Sequence, residues 1–182
     1  MKTGDLIIRD LRLKQVIRFI PDNSTILDIG CGDGYLFKLL GDRLQWGVGV
    51  DKDIPAFRSV KYQLLAGSFP DDFPDLQPGF DVIVMAAVIE HLPLVKISLV
   101  LSRCHQLLKP GGRLIITIPS LLAEPILLLM LKIGIIAGMD LDAHTGLRWD
   151  MLKRIRNPNE FHLMVHQHFE FGFNHLIVYI RQ

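Results

Sequence analysis

Apolar residues in this chain fall into short unbroken runs, punctuated by glycine, proline and acidic turns. Residues 26–29, 46–50, 80–85 and 113–118 read as strands, and 62–65 as another. Runs of that length without strict alternation belong to strands covered on both faces, the habit of parallel sheets. Helical segments lie between them, at 34–40 and at 94–108, the second stopped by Lys109-Pro110-Gly111-Gly112. A short helix is predicted over 5–19, carrying Arg9, Arg12, Lys14 and Arg18 and closed by Pro21-Asp22-Asn23-Ser24. A polar, proline-bearing loop covers 68–79. Strands alternating with helices imply an α/β doubly wound sheet.

The last third of the chain is patterned differently. Residues 121–139 are strongly apolar, and 140–159 are polar with a helix near 150–155. Residues 161–169 and 175–180 read as two strands joined by Glu170-Phe171-Gly172-Phe173-Asn174. The apolar run 126–138 is too short for a bilayer span, which needs about 20 apolar residues. Lys132 also interrupts it, and Glu124-Pro125 and Asp140 bound it. It reads as a core helix, as a lid over a greasy substrate, or as an interfacial helix touching a membrane surface.

Composition narrows this only a little. The chain has 182 residues, enough for one domain with a full core, and a net charge of +1 that gives no general attraction to nucleic acid. Its two cysteines, Cys31 and Cys104, form no disulfide framework, which suits a reducing compartment. Met1-Lys2-Thr3-Gly4-Asp5 lacks the apolar core of a signal peptide. The expectation is a cytoplasmic protein, with membrane association through 126–138 left open.

The densest chemistry is in Ile26-Leu27-Asp28-Ile29-Gly30-Cys31-Gly32-Asp33-Gly34. A glycine turn between strand and helix lets a ligand approach bare backbone. Asp28, two positions before the first glycine, would repel a diphosphate but accept a cation or a hydroxylated, amine-bearing ligand. A dinucleotide fingerprint would need Gly-x-Gly-x-x-Gly, and here the third glycine comes one residue early.

This segment resembles the signature of class I S-adenosylmethionine-dependent methyltransferases: an acidic residue, any residue, then Gly-x-Gly-x-Gly. The nearest resemblance is to the small-molecule branch that includes the ubiquinone-biosynthesis methyltransferases. Phe80-Asp81-Val82-Ile83-Val84-Met85-Ala86-Ala87-Val88-Ile89-Glu90-His91-Leu92 resembles that family's fourth-strand segment, and Leu107-Leu108-Lys109-Pro110-Gly111-Gly112 its turn before the fifth strand. The resemblance implies a Rossmann-like, mostly parallel seven-stranded sheet closed by an antiparallel C-terminal hairpin. It implies one domain: an N-terminal helix at 1–24, a cofactor-binding core at 25–120, an apolar helix and substrate or lid insert at 121–159, and the hairpin at 160–182.

The cofactor it implies is S-adenosylmethionine. Cofactor contacts are expected from Asp28, Gly30, Cys31, Gly32, Gly34, Asp51, Lys52, Ser68, Phe69 and Ala86, with Arg12 reaching the methionyl carboxylate. Asp51 ends the second strand, where an acidic residue can accept both ribose hydroxyls. Ser68 stands where relatives carry an adenine-binding Asp, so Asp71 or Asp72 is a substitute. The acceptor is expected to be a small, apolar molecule, with no nucleic-acid partner. His144 and His91 are candidate general bases; a carbon or amine nucleophile needs none. A non-catalytic cofactor-binding module and a peripheral membrane enzyme remain as alternatives. Alternation places His162, Met164, His166 and His168 on one strand face. Three histidines could ligate zinc or nickel, but no carboxylate or cysteine completes a recognisable spacing, and no metal is assigned.

Overall fold

The computed structural model describes residues 3–75, 79–120, 132, 149–155, 157 and 159–182. Helix α1 (Thr3–Ile17) leads into β1 (Ser24–Ile29), α2 (Tyr35–Leu40) and β2 (Leu44–Asp51). Next come β3 (Phe57–Arg58), β4 (Tyr62–Ala66), β5 (Phe80–Ala86), α3 (Leu94–Leu107) and β6 (Leu108–Pro119). A short helix α4 (Trp149–Ile155) precedes the closing pair β7 (Phe161–Phe169) and β8 (Asn174–Arg181).

Among the described residues, eight strands form one sheet in the order β3-β4-β2-β1-β5-β6-β8-β7. The five from β4 to β6 run parallel, whereas β8 lies antiparallel between β6 and β7. The predicted strands and the antiparallel hairpin are all present. The sheet has one strand more than the seven expected, because two-residue β3 pairs antiparallel on the outer edge of β4. Lys109-Pro110-Gly111-Gly112 is also not a turn ahead of its strand. It bulges within β6, so that Leu108 pairs with Phe80 while Arg113 pairs with Val82; Gly111 takes φ 76 there.

The sheet divides its apolar residues by alternation. Leu27, Ile29, Val48, Val50, Ile83 and Met85 pack against Ile97, Val100, Leu101, Cys104 and Leu107 of α3. Ile26, Val82, Val84, Ile115, Leu176 and Val178 pack on the other face against Leu13 and Val16 of α1 and Leu36, Phe37 and Leu40 of α2. Each fully buried side chain of this kind contributes about 1.5–3 kcal/mol. The same alternation puts Asp28 on the α1 face, between the apolar Ile26 and the turn. Among the described residues, no helix is long and apolar enough to cross a membrane.

Candidate functional site

The strand β1 ends where its neighbours leave a crevice, and the chain escapes through the glycine turn. Gly30, Gly32 and Gly34 take φ 74, 50 and 71, all left-handed, which disfavours any side chain at these positions. Their surroundings differ. A Cβ on Gly30 would lie 2.3 Å from Val88 Cγ2, and one on Gly34 would lie 3.2 Å from Leu64. A Cβ on Gly32 would meet nothing within 4 Å. Gly32 therefore keeps bare backbone facing open space.

Asp51, at the end of β2, braces this turn. Its Oδ2 accepts the Gly32 N–H at 3.0 Å and its Oδ1 accepts the Asp53 N–H at 3.0 Å. Beside it, Asp28 is only 4% exposed. Burial, with the charge of Asp51 adding to it, pushes the Asp28 carboxyl up to about 8. Burial, with Asp28 and Asp51 adding to it, also raises the Cys31 thiol.

A cavity of about 430 Å³ opens over the turn. Asp28, Gly30, Cys31, Gly32, Asp33, Tyr35, Leu36 and Ala86 line one side, and Leu6, Arg9, Arg12 and Leu13 of α1 line the other. Helix α1 is tied to the turn by Arg9, whose guanidinium is 3.1 Å from Asp33 and 4.1 Å from the centre of the Tyr35 ring. Tyr35 in turn donates from its hydroxyl to Asp10 at 3.2 Å. Deeper along α1, the Arg12 guanidinium is drawn down by burial and held up by Glu90 and Glu170. Burial lifts the Glu90 carboxyl to about 7, against the opposing pull of a backbone hydrogen bond and of Arg12.

At the end of β4, Asp72 folds back over Gly67. Its Oδ2 accepts the Ser68 N–H at 2.9 Å, and its own N–H donates to the Ser68 carbonyl at 2.8 Å. Asp71 points elsewhere, to Lys96 at 2.6 Å.

A methyltransferase-domain family model matches residues 6–171. The chain belongs to the methyltransferase domain family. Ubiquinone biosynthesis O-methyltransferase of Pseudomonas paraeruginosa is 31% identical over 103 residues, covering 52% of this chain and 44% of that protein. The mitochondrial enzyme of the same description from Rattus norvegicus is 30% identical over 126 residues, covering 60% of this chain and 36% of that one. The chain thus spans less than half the length of these curated relatives. Among solved structures, the PH0226 protein from Pyrococcus horikoshii OT3 matches with a TM-score of 0.69 at 18% identity, over 97% of this chain and 91% of that one. A Burkholderia thailandensis 1,6-didemethyltoxoflavin-N1-methyltransferase, with bound 1,6-didemethyltoxoflavin and S-adenosylhomocysteine, matches with a TM-score of 0.65 at 14% identity, over 98% and 81%. These last two likenesses establish the fold.

Within this methyltransferase domain the cavity brings together Arg12, Asp28, Gly30, Cys31, Gly32 and Ala86 of the expected contacts. Asp51 joins them through Gly32. Gly34 caps the start of α2 without lining the cavity. Lys52 is exposed beside Asp53. Phe69 is 8% exposed and packs edge-on against Phe73 at 5.3 Å, so it serves the core. His91 is exposed in the turn after β5, and His144 lies outside the described residues. So does the run 126–138, apart from the exposed Lys132. The sequence reading missed Arg9, Tyr35 and Asp33 as cavity walls. The Arg9–Asp33 pair is 24 residues apart, and no local pattern connects it. One sequence expectation about faces is corrected. The β7–β8 register shifts between Leu163 and Val165. His162 opposite Ile180 therefore lies on the other face from His166 opposite Ile177.

Proposed function

We propose that this methyltransferase domain transfers a methyl group from S-adenosylmethionine to a small, apolar acceptor. The observation that carries the reading is the glycine turn: bare backbone at Gly32, open space beyond it, and two carboxyl groups converging on it. The donor set fits the cofactor. A buried carboxyl such as Asp28 is stabilised in its charged form by a cationic amine and sulfonium. Asp51, oriented by two backbone N–H groups, keeps lone pairs for ribose hydroxyls. Asp72, held at Ser68, takes the place of the missing adenine-binding acid. Arg12 offers a guanidinium to the methionyl carboxylate.

When bound, the cofactor supplies an electrophilic methyl group whose leaving thioether is neutral. The chain's own task is to align the acceptor and exclude water, worth about 7–11 kcal/mol when alignment is good. Leu6 and Leu13 of α1 present a short apolar strip to the cavity. That strip favours an apolar acceptor. Where the acceptor is a hydroxyl, the base is drawn from His91 and His144, and a positioned base adds about 10²–10⁴-fold. A cytoplasmic location suits this reading, and residues 126–138 keep their three readings as core helix, lid or membrane-surface helix.

Isothermal calorimetry with S-adenosylmethionine and S-adenosylhomocysteine tests the proposal. Binding of both is expected, and loss of it in Asp51→Ala. No binding of either at millimolar concentration overturns it. Co-sedimentation with anionic liposomes tests the membrane reading of 126–138: pelleting that Leu128→Asp abolishes supports membrane contact, and no pelleting favours the core or lid reading.

A further inference from the structure

Outside the cavity, the described residues assemble one group of metal-ligating side chains, and it lies on the closing hairpin. His168 on β7 stands directly opposite His175 on β8, and His166 lies one ladder step away on the same face. One ring nitrogen from each of the three falls within 4.8 Å of the others. His166 Nε2 and His175 Nδ1 are 3.0 Å apart. The ring centres of His168 and His175 are 4.4 Å apart. We propose that His166, His168 and His175 form a binding site for one late first-row divalent ion of the zinc class.

The geometry suits such an ion. Two nitrogens at about 2.0–2.1 Å from one zinc ion stand about 2.9–3.4 Å apart for angles between square and tetrahedral. The His166–His175 pair already has that separation. His168 is exposed, so a rotation of its side chain is free to close the third contact. All three donors are imidazoles, which select zinc, nickel, copper or cobalt over the oxygen-seeking magnesium and calcium. Three protein ligands leave a fourth position for solvent, the arrangement of an open zinc site.

The surroundings fix the rings as well. Trp149 of α4 stacks on His166 at 4.1 Å and 26°. This orients one ligand ring and excludes solvent from its outer side, as supporting residues do around metal sites. The bulge between Leu163 and Val165 is what turns His166 and His168 to the face of His175. The opposing influence is the nearby cation of Lys153, which disfavours a second positive charge.

The test uses the untagged chain, stripped with a chelator, and titrated with zinc alone against a chromophoric competitor. One equivalent is expected to bind, and Co²⁺ in its place should show the visible absorption of a nitrogen-rich, low-coordinate site. His175→Ala, and separately the exposed His168→Ala, should weaken zinc at least about a hundredfold, since outer-shell changes alone cost about 10–100-fold. His162→Ala, on the opposite face, should leave the affinity unchanged. Circular dichroism of the metal-free variants checks that they fold, and His168→Ala keeps the test open if His175→Ala does not. Absence of a stoichiometric site, or loss of zinc in His162→Ala equal to that in His168→Ala, overturns the proposal. None of these readouts depends on methyl transfer, so failure here is distinct from failure of the proposed activity.

Discussion

Asp28→Asn should change how the stability of the ligand-free protein depends on pH. Asp28 is 4% exposed, and its carboxyl rises from 3.8 to about 8, first by burial and then by the charge of Asp51. Between those two values the folded chain holds a proton that the unfolded chain has released. Stability therefore falls as pH rises through this window, by about 1.4 kcal/mol per pH unit for one group. From pH 5 to pH 7 the Asp28 share is about 3 kcal/mol. Glu90, lifted to about 7, adds a second share of the same sign that ends sooner. Urea unfolding of the wild type and of Asp28→Asn at pH 5, 6 and 7 isolates the Asp28 share as their difference. Across the series the wild type should lose about 3 kcal/mol more than Asp28→Asn, because the shares of Glu90 and Glu170, and the opposite ones of His166 and His175, are common to both proteins. A cationic ligand in the cavity would favour ionised Asp28, so cofactor binding near pH 7 should release a proton. Calorimetry in buffers of different ionisation enthalpy reads that release, which Asp28→Asn should abolish. Parallel stability–pH curves for the two proteins would refute the reasoning.

Gly30 and Gly32 should separate folding from binding. Gly30→Ala drives a methyl against Val88 and should unfold the protein at markedly lower urea. Gly32→Ala meets open space and should cost only the left-handed backbone, about 1–2 kcal/mol, while cofactor affinity measured by calorimetry falls tenfold or more. Asp81 lies at the far end of the sheet. Burial raises its carboxyl, but Lys109 and Thr25 outweigh this and hold it below the ordinary value. Its contribution is present above the unfolded carboxylate range and is lost as pH falls. Asp81→Asn should therefore lower the urea midpoint at pH 7 and narrow the gap to wild type in acid. Arg9→Ala should leave stability within about 0.5 kcal/mol, as exposed pairs do, yet speed cofactor dissociation in stopped-flow fluorescence by freeing α1 from Asp33 and Tyr35.

The parallel core was legible because β1, β5 and β6 are covered on both faces and so carry unbroken apolar runs. The glycine turn was legible because left-handed backbone leaves a compositional mark. Two-residue β3 was not, since Phe57-Arg58 is too short to show any period. The bulge near Met164 was hidden for the opposite reason. A period of two extends smoothly through an added residue, so four alternating positions looked like one face. The histidine cluster escaped with it, because the third donor, His175, comes from the neighbouring strand. Contacts made by α1 across the turn depend on how the helix docks, and a helix's own sequence does not state what it docks against.

The position of β8 has a kinetic consequence. It follows β7 in the chain yet lies between β6 and β7, pairing with Arg113–Pro119 on one side and Phe161–Phe169 on the other. Until β8 is in place, β7 has no strand to join and β6 keeps a bare edge. Closing the hairpin on itself is a local event on the scale of about 1–10 μs, which favours its forming before it docks onto β6. That docking joins residues separated by some sixty positions along the chain, as the pairing of β1 with β5 nearly does, and such long-range pairings are the slow kind of step in assembling a sheet. Until then β6 is the exposed edge at which a second unfolded copy could add in place of the hairpin.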